Sequence, residues 1–554
     1  LYLGGTMGQP GKMLLNRGLD AAGQPVFTIK VRPPFTGTTD HEDLGSLLLD
    51  VDGDGDADLF TVSGSVECSA GDPSLRDRLF LNDGTGEFTE AVDRIPAPDG
   101  GRYTSGGVAT AADFDRDGDL DIFIGGRIIP GEYPVAPRNS LLVNDGKGHF
   151  RESAVDQGIS STGLVTAALW SDLDSDGWSD LLLTHEWGAI RVFSNRSGKL
   201  VETTDAAGLA GTTGFWNSIA GRDLNGDGFI DYIVGNLGRN TKYSASEESP
   251  ELIFYGDVGG EGKKNLIEAK LDTSTHCLLP RRGLSCSSTA IPSLLKHVNT
   301  YHAWASATLE EIFDPERLKG ALRLEAKMLD SVSLLNDGEG HFTIHPLPPL
   351  AQISPVFGIV MSDFDSDGFT DVALAQNFFT PQQETGPYDG GLGVVLKGSA
   401  PVNSGEIPLS EMWPLESGIV VPGDSKSLGI TDFSGRGRPD LVFGRNNAPP
   451  ALFLNGLDSE KSGEPLAVTL RGKPGNPTAI GAMVSVQIPG LPKQTAEIYS
   501  GSGYLSQSIS TLFFGRGAKS ASQSATVSVV WPDGTRSEHS IPAEDGPTIS
   551  IPWE

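Results

Sequence analysis

Residues 113–121 read DFDRDGDLD, with aspartate at every odd position and glycine at the sixth, and Ile122-Phe123-Ile124 follows directly. The general pattern, D-x-[DN]-x-D-G-x-x-D, occurs in full five times. The copies span residues 50–58, 113–121, 172–180, 223–231 and 363–371, and they start 63, 59, 51 and 140 residues apart. Periods of this size indicate supersecondary units stacked in an array.

Two degenerate copies, residues 257–265 and 432–440, continue the series. The copy at Asp257 falls within the long interval of 140 residues, so that interval has room for two units plus an insertion.

Each loop lies between two short apolar runs, and several units continue with an Asn-Asp-Gly turn, at residues 79–88, 141–150 and 334–342. Asn-Asp-Gly between apolar runs is a strong hairpin signal. Each unit is therefore interpreted as about four antiparallel strands, which is a propeller blade. The pattern predicts an all-β fold in which the units are blades of a propeller.

The pattern changes twice along the chain. Between about residues 299 and 330, Leu309, Ile312 and Phe313 recur at helical spacing, and Asp314-Pro315 is typical of a helix start, which predicts a helical hairpin inserted in one blade. Its apolar stripe is expected to cover the propeller, with partner binding as the alternative. We predict a propeller over 1–457, a polar linker over 458–464 and a separate small β-domain over 465–554.

The first residues match only the second half of a unit. Leu1-Tyr2-Leu3-Gly4-Gly5 corresponds to Ile122-Phe123-Ile124-Gly125-Gly126, which follows an aspartate loop. This match predicts a further aspartate loop, and any export signal, upstream of residue 1.

The aspartate loops have the composition of calcium sites. Carboxylates at positions 1, 3, 5 and 9, a carbonyl at position 7 and a glycine bend at position 6 supply several hard oxygen ligands in a flexible loop, which suits Ca²⁺ better than Mg²⁺. An EF-hand would need Glu at position 12, where these loops have apolar or β-branched residues. The alternative is Asx-turns without metal, although such close carboxylates would repel one another.

The sequence thus predicts about five Ca²⁺ sites. The candidate ligands are Asp50, Asp52, Asp54, Asp56 and Asp58; Asp113, Asp115, Asp117, Asp119 and Asp121; Asp172, Asp174, Asp176, Trp178 and Asp180; Asp223, Asn225, Asp227, Phe229 and Asp231; and Asp363, Asp365, Asp367, Phe369 and Asp371. In the degenerate copy at residues 432–440, Ser434 and Arg436 replace two ligands, so that an arginine can take the place of the cation. The copy at residues 257–265 keeps Asp257, Glu261 and Asn265, so partial occupancy by Ca²⁺ is left open there.

Composition and hydropathy argue against two classes, nucleic-acid-binding proteins and membrane-spanning proteins. The 554 residues contain 41 Lys and Arg against 72 Asp and Glu, a formal charge of −31, which disfavours nucleic acid as a partner. No apolar run reaches the eighteen residues of a membrane span.

Catalytic candidates are few, and none is assigned. His276, Cys277, Cys286, His297 and His302 fit no zinc spacing, and a disulfide between Cys277 and Cys286 is favoured, with Cys68 left as a buried thiol. His185-Glu186-Trp187 and Trp216-Asn217 either line a ligand pocket or serve as packing residues, the second being the more common role.

The repeats resemble the FG-GAP/VCBS-type calcium-binding units of integrin α-subunit propellers and of many exported bacterial proteins. The C-terminal segment is similar to the ASPIC/UnbV domain of cartilage-acidic-protein-like families, through the motifs at 478–482, 501–507, 514–515 and 531–534. The resemblance implies a seven-bladed propeller, secretion and calcium in the blade loops. It implies no reaction.

We therefore expect an exported calcium-binding propeller of seven blades, or of eight if the unit at Asp257 is complete. It would be secreted, periplasmic or on the cell surface, and it would act as a binding or assembly module for a protein or glycan partner. In this interpretation Ca²⁺ is structural, and an enzyme is the less favoured class. Two alternatives stay open, namely an enzyme that acts on polysaccharide and an accessory subunit of a larger envelope complex.

Overall fold

The computed structural model describes residues 1–30, 40–98, 101–154, 157–382, 385–401, 408–458, 462–518 and 523–554. The chain is almost entirely β, as predicted, and its strands form antiparallel sheets with one parallel pair in the C-terminal region. The predicted linker, 458–464, lies partly outside the described residues.

The first four sheets follow one another along the chain. They contain β1 (Tyr2–Leu3), β2 (Lys12–Leu19) and β3 (Pro25–Lys30); β4 (Asp43–Leu49), β5 (Asp58–Ser63), β6 (Arg78–Asn82) and β7 (Phe88–Glu90); β8 (Ser105–Ala112), β9 (Asp121–Ile128), β10 (Ser140–Val143) and β11 (Arg151–Glu152); and β12 (Leu164–Ser171), β13 (Asp180–Gly188), β14 (Arg191–Asn195) and β15 (Leu200–Glu202), with β16 (Gly214–Phe215) added to β13.

The fifth sheet is interrupted by an insertion. The strands and helices of this part are β17 (Ser218–Arg222) and β18 (Asp231–Gly235); the inserted β19 (Glu251–Gly256), β20 (Asn265–Asp272), β21 (Cys277–Pro280), α1 (Leu284–Ala290), α2 (Tyr301–Ser306), α3 (Leu309–Ile312), α4 (Pro315–Gly320) and β22 (Leu322–Ala326); and then β23 (Val332–Asn336) and β24 (Phe342–Pro346).

Two more sheets of the series and the C-terminal domain complete the chain. They contain β25 (Val356–Ser362), β26 (Asp371–Gln376), β27 (Val394–Lys397) and β28 (Ser410–Met412), followed by α5 (Pro414–Ser417); β29 (Asp424–Thr431), β30 (Asp440–Asn446) and β31 (Ala451–Phe453); and β32 (Leu466–Arg471), β33 (Met483–Gln487), β34 (Gln494–Glu497), β35 (Leu512–Phe514), β36 (Ala525–Val530), β37 (Arg536–Ile541) and β38 (Thr548–Pro552), which form two sheets.

The first strands of successive sheets, β4, β8, β12, β17, β25 and β29, lie side by side in that order, as in a propeller. The three-stranded first sheet lies between the second sheet, which begins with β4, and the seventh sheet, formed by β29, β30 and β31. The Gly5 N–H donates to Asp43 Oδ2 at 2.7 Å, and Asn16 Nδ2 donates to the Phe433 carbonyl at 2.9 Å. Among the described residues, seven sheets follow one another in this way.

Asparagines at the end of the third strand, or at the matching place in the first sheet, join neighbouring sheets. Each donates its Nδ2 to the backbone carbonyl of the second residue in the aspartate loop of the preceding sheet. The pairs are Asn16 with Phe433, Asn144 with Val51, Asn195 with Phe114, Asn336 with Leu173 and Asn455 with Phe364, at 2.7–2.9 Å. The Asn-Asp-Gly hairpins were correctly predicted. Glycines such as Gly84 and Gly146 adopt the positive φ of these turns, and Asn144 links two sheets.

The insertion differs from its prediction. Helices occupy residues 301–320 and Asp314 caps α4, as expected, but residues 322–326 form strand β22 instead of extending the helical stripe. Leu309, Ile312 and Phe313 pack with the inserted sheet of β19–β22, so the stripe covers that sheet and not the propeller. The Asp257 unit belongs to this inserted sheet and adds no eighth sheet to the series.

The C-terminal domain has its own two sheets, but its core is continuous with that of the propeller. Residues 500–509 cross the axis and bond to the first strands. Ala111 N–H donates to the Ser500 carbonyl at 3.0 Å, Gly503 N–H to Ile219 at 2.8 Å and Leu48 N–H to Gln507 Oε1 at 2.7 Å. This segment therefore closes the centre of the ring.

The expected disulfide between Cys277 and Cys286 is wrong, since the structure has no disulfide bond between them. Cys277 lies on β21 and Cys286 on α1. Cys68, expected to be buried, is half-buried.

Candidate metal centres

The five intact aspartate loops occupy one place in the fold. Each joins the first strand of a sheet to the second, for example β8 to β9 and β12 to β13. The degenerate loop at Asp432 holds the same place between β29 and β30, whereas the loop at Asp257 joins β19 to β20 of the insertion. The intact loops consequently emerge on one face of the ring.

Glycine at position 6 has the conformational role predicted for it. Gly118 has φ 101° and Gly177 has φ 88°, values in the left-handed region that glycine adopts most readily. Position 4 also has positive φ, at Arg116 (60°) and Ser175 (57°), which sequence reasoning missed because these residues are not glycine.

The aspartates at positions 1 and 9 organise the backbone. Asp172 Oδ2 accepts the Gly177 N–H at 3.0 Å, and Asp180 accepts the N–H groups of Leu173 at 3.0 Å and Asn195 at 2.6 Å. The Asp180 carboxylate thereby joins the start of the loop to the third strand. Asp231 bonds in the same way to Leu224 and Asn336.

Four loops bring three carboxylates together, with ligand oxygens within 4.8 Å of one another. Positions 1, 3 and 9 meet in three loops, and positions 1, 3 and 5 meet in the fourth. The groups are Asp50, Asp52 and Asp58; Asp172, Asp174 and Asp180; Asp363, Asp365 and Asp371; and Asp113, Asp115 and Asp117. Position 3 of the fifth loop is Asn225, whose Nδ2 donates to Asp227 Oδ2 at 2.8 Å.

Several carboxylate oxygens in these loops are buried and have no hydrogen-bond partner among the described residues. They are Oδ1 of Asp52, Asp113, Asp115, Asp119, Asp172, Asp174 and Asp365, and Oδ2 of Asp121. A buried charged oxygen without a partner is costly. These oxygens are hard donors grouped in flexible loops, so the donor set fits Ca²⁺.

The electrostatics of the loops agree with this fit. Burial, together with the smaller effect of the nearby Asp115 and Asp119 carboxylates, raises the pKa of Asp121 to about 9. Burial likewise raises the pKa of Asp180 to about 8, with Asp174 and Asp172 adding to the effect. Without a cation, therefore, the loops resist carrying their full negative charge.

Basic side chains at the rim, which the sequence pattern did not reveal, contact two of the intact loops. Arg196 Nη1 lies 2.7 Å from Asp174 Oδ2 and 3.1 Å from Asp176 Oδ2. Lys397 pairs with Asp365 and lies 3.0 Å from Asp367 Oδ2. Arg196 directly follows the third strand of its sheet and Lys397 is the last residue of the third strand in another, so no local spacing links them to the loops.

In each degenerate loop, an arginine side chain of the chain itself contacts a loop residue. Arg317 Nη1, from α4, lies 3.2 Å from Asp257 Oδ2, while Glu261 Oε1 accepts the Ser293 N–H at 3.0 Å. In the other loop, Arg436 Nε donates to Ser434 Oγ at 2.7 Å.

The other candidates separate into packing and cavity residues. His185 is buried between the Ala189 carbonyl (2.8 Å) and Thr162 Oγ1 (3.0 Å), and burial lowers its pKa to about 3. Trp216 is buried and donates to the Thr212 carbonyl. Glu186 and Asn217 instead line a cavity on the ring axis. Among the described residues, no group of candidate metal ligands includes His276, Cys277, Cys286, His297 or His302, whose spacing fits no zinc motif.

An exposed trio, Asp337, Glu339 and His341, lies in the hairpin between β23 and β24. No repeat or motif spacing in the sequence marks it as a metal site. All three side chains are exposed, and such acidic groups are common without a metal.

The fold and the loops define a class, a β-propeller whose blade loops are built from aspartate. Comparison with protein families specifies it further, since residues 47–124 and 172–234 match the model for the FG-GAP-like repeat, and residues 472–547 match the model for ASPIC and UnbV. The chain is thus an FG-GAP-repeat protein with a C-terminal ASPIC/UnbV domain, as the motifs predicted. Such repeats favour an extracellular binding or assembly module.

No curated protein matches the chain. Among solved structures, the V. cholerae biofilm matrix protein Bap1 has 10% identity over 76% of this chain and 89% of that chain, with a TM-score of 0.26. The exotype rhamnogalacturonan lyase YesX has 14% identity over 81% and 76%, with a TM-score of 0.28. Likenesses this low carry no argument about function. No helix among the described residues combines the length and apolar character needed to cross a bilayer.

Proposed function

We propose that this protein is an exported binding or assembly module in which Ca²⁺ is a structural element of the blade loops. The observation that carries the proposal is the set of buried, unpartnered carboxylate oxygens in four of the intact loops. Asp172 and Asp174 illustrate it, since each has one such oxygen and both belong to the cluster of three carboxylates that includes Asp180. A bound cation would satisfy these oxygens and remove the mutual repulsion.

The loops also support the C-terminal domain, which gives calcium a definite structural task. Ser366, at position 4 of the last intact loop, accepts the Arg516 N–H at its Oγ (3.1 Å) and the Gly517 N–H at its carbonyl (2.8 Å). Asp223 N–H donates to the Thr495 carbonyl at 3.2 Å. Loops fixed by Ca²⁺ would therefore hold the ring and the C-terminal domain as one rigid body.

A rigid body suits a binding module, because a preorganised surface loses less conformational entropy when a partner binds. With the loop face occupied by the C-terminal domain, recognition of a protein or glycan falls to the opposite face. Extracellular calcium modules bind Ca²⁺ with a Kd of about 10⁻⁴–10⁻³ M, and loops of that affinity would suit an exported protein.

The test is calcium stoichiometry together with domain docking. We expect native mass spectrometry to show about five Ca²⁺ per chain, and we expect limited proteolysis to release the C-terminal domain in EDTA but not in Ca²⁺. A chain that retains no Ca²⁺, or that gives the same fragments in both conditions, contradicts the proposal. A pull-down from the native envelope fraction, with Ca²⁺ and with EDTA, would then identify the partner.

A further inference from the structure

A cavity lies on the ring axis above the segment that closes the centre. Its floor includes Tyr504, and Arg127, Glu186, Phe215 and Phe357 are among its walls. The whole cavity, including a part along the first sheet, measures about 990 Å³. The axial part is the region around Tyr504, Arg127, Glu186, Phe215 and Phe357.

Aromatic side chains form two groups around this axial part. Phe357 packs against Tyr504 with ring centroids 4.9 Å apart and against Phe378 at 5.9 Å. Phe215 packs against Trp187 at 4.3 Å. Phe215, Phe357, Phe378 and Tyr504 all line the cavity. Lys426 covers the buried Phe357 ring, so the apolar surface available to a ligand comes from the other three, half-buried rings.

Polar groups stand beside these rings. Arg127 pairs with Glu186 Oε2 at 2.5 Å, and Glu186 Oε1 accepts the Tyr133 hydroxyl at 2.7 Å. The Arg127 Nη1 is buried and has no hydrogen-bond partner among the described residues. A ligand oxygen would satisfy it.

Charge in the cavity is balanced. Lys426 lies 3.0 Å from Asp424 Oδ1 and 3.5 Å from the Phe357 ring centroid. Arg445, elsewhere in the lining, donates to the Pro449 and Pro422 carbonyls. Since Arg127 and Lys426 each have a carboxylate partner, the part of the site beside these rings favours a ligand rich in hydroxyl groups over a strongly charged one. Aromatic faces combined with a few fixed donors and acceptors are typical of sites that bind a compact polar ring.

We propose that the axial cavity binds a saccharide, with sugar hydroxyls at Arg127 and Glu186 and the apolar face of a sugar ring on the aromatic side chains. This inference rests on the proposed function, because it names the ligand class of that binding module. Glu186 and Asn217, which the sequence marked as pocket candidates, both belong to this site.

The test uses the full chain saturated with Ca²⁺ and two panels of oligosaccharides, one neutral and one containing uronic acids. We expect saturable binding by calorimetry and saturation transfer to the sugar protons by NMR. Binding of the neutral panel alone, or of both panels, supports the charge-balanced site. Binding of the uronic panel alone overturns its preference for an uncharged ring, and binding of peptides alone overturns the saccharide assignment.

Arg127→Gln and Glu186→Gln should each weaken saccharide binding at least tenfold. The matched control is Arg138→Gln, which removes an exposed arginine paired with Glu152 at 3.6 Å and should leave affinity unchanged. Each variant must retain the wild-type melting temperature and calcium stoichiometry, and Asn217→Ala replaces any variant that does not.

If neither panel binds, or if Arg127→Gln and Glu186→Gln bind as wild type does, the proposed site is overturned. Normal calcium stoichiometry in the same samples would leave the proposed function standing. Loss of calcium binding would instead identify a failure of the proposed function itself.

Discussion

The loops at Asp172 and at Asp432 have nearly the same backbone but different chemistry. In the first, Gly177 N–H donates to Asp172 at 3.0 Å and Leu173 N–H to Asp180 at 3.0 Å. In the second, the corresponding bonds, from Gly437 to Asp432 and from Phe433 to Asp440, measure 2.7 and 2.9 Å.

The difference lies at positions 3 and 5. Asp174 and Asp176 of the intact loop correspond to Ser434 and Arg436, and Ser434 Oγ lies 3.3 Å from Asp432 Oδ1 while accepting Arg436 Nε. Asp172 and Asp174 each have a buried oxygen without a partner. Positions 1 and 9 therefore build the turn in both loops, whereas the carboxylate at position 3 adds a buried oxygen without a hydrogen-bond partner to the intact loop.

The largest expected effect is that of removing calcium. A ligand at a hundred times its Kd stabilises the folded state by about 2.7 kcal/mol per site, so five loops together contribute on the order of 10 kcal/mol. We expect EDTA to lower the melting temperature strongly in differential scanning calorimetry. Equal melting temperatures in Ca²⁺ and EDTA would mean that the intact loops resemble the loop at Asp432.

The pH dependence of the metal-free protein sharpens the same comparison. Burial raises the pKa of Asp180 and Asp231 to about 8, above the unfolded value of about 3.9. The folded state then binds more protons, so the stability contributed by these two aspartates is greatest below pH 4 and is lost as the pH rises through about 8.

In EDTA we therefore expect the melting temperature to fall by several degrees between pH 5 and pH 9. In Ca²⁺ the cation keeps the carboxylates ionised, so that fall should disappear. A metal-free protein that becomes more stable as pH rises would contradict the electrostatic account.

Next in size is the loss of a single site. Asp174→Ala should cost about 2–3 kcal/mol in Ca²⁺, the value of one site, with little loss in EDTA. The matched change at position 3 of the degenerate loop, Ser434→Ala, should cost less than about 1 kcal/mol in both conditions. Urea unfolding with and without EDTA measures both, and equal losses for Asp174→Ala in the two conditions would argue for a purely structural aspartate.

The sequence predicted those parts of the molecule that depend on local spacing. Each loop places its ligands within nine residues, so the carboxylate groups and the bend at Gly118 follow from the pattern alone. Helix α4 was also predictable, because Asp314 and Pro315 form a local start signal.

The missed features depend on contacts between distant segments. Arg317 reaches Asp257 from 60 residues away, and Asn336 bonds to Leu173 from 163 residues away. The motif at 501–507 identified the domain type but not its place, because its position on the axis follows from bonds to Leu48, Ala111 and other first strands.

A smaller gain is expected from rebuilding a site. The double substitution Ser434→Asp and Arg436→Asp restores the carboxylates at positions 3 and 5 on an existing turn, and native mass spectrometry should detect one additional Ca²⁺ per chain. At ten times Kd the added stability would be about 1.4 kcal/mol. Arg436→Gln alone should add no ion, and a double variant without an extra ion would show that the turn of residues 432–440 needs more than these two ligands.

The smallest effect concerns the inserted loop, where arginine already contacts the first aspartate. Arg317 and Asp257 are partly exposed, with 46% and 36% of their side-chain surfaces accessible, and exposed ion pairs contribute about 0.2–1 kcal/mol. We expect Arg317→Gln to destabilise the chain by no more than that, equally in Ca²⁺ and EDTA, because Glu261 is bonded to Ser293 and leaves Asp257 with too few carboxylates for an ion. A variant that gains a Ca²⁺ ion and becomes more stable would show that the guanidinium, and not the missing ligands, keeps calcium out of this loop.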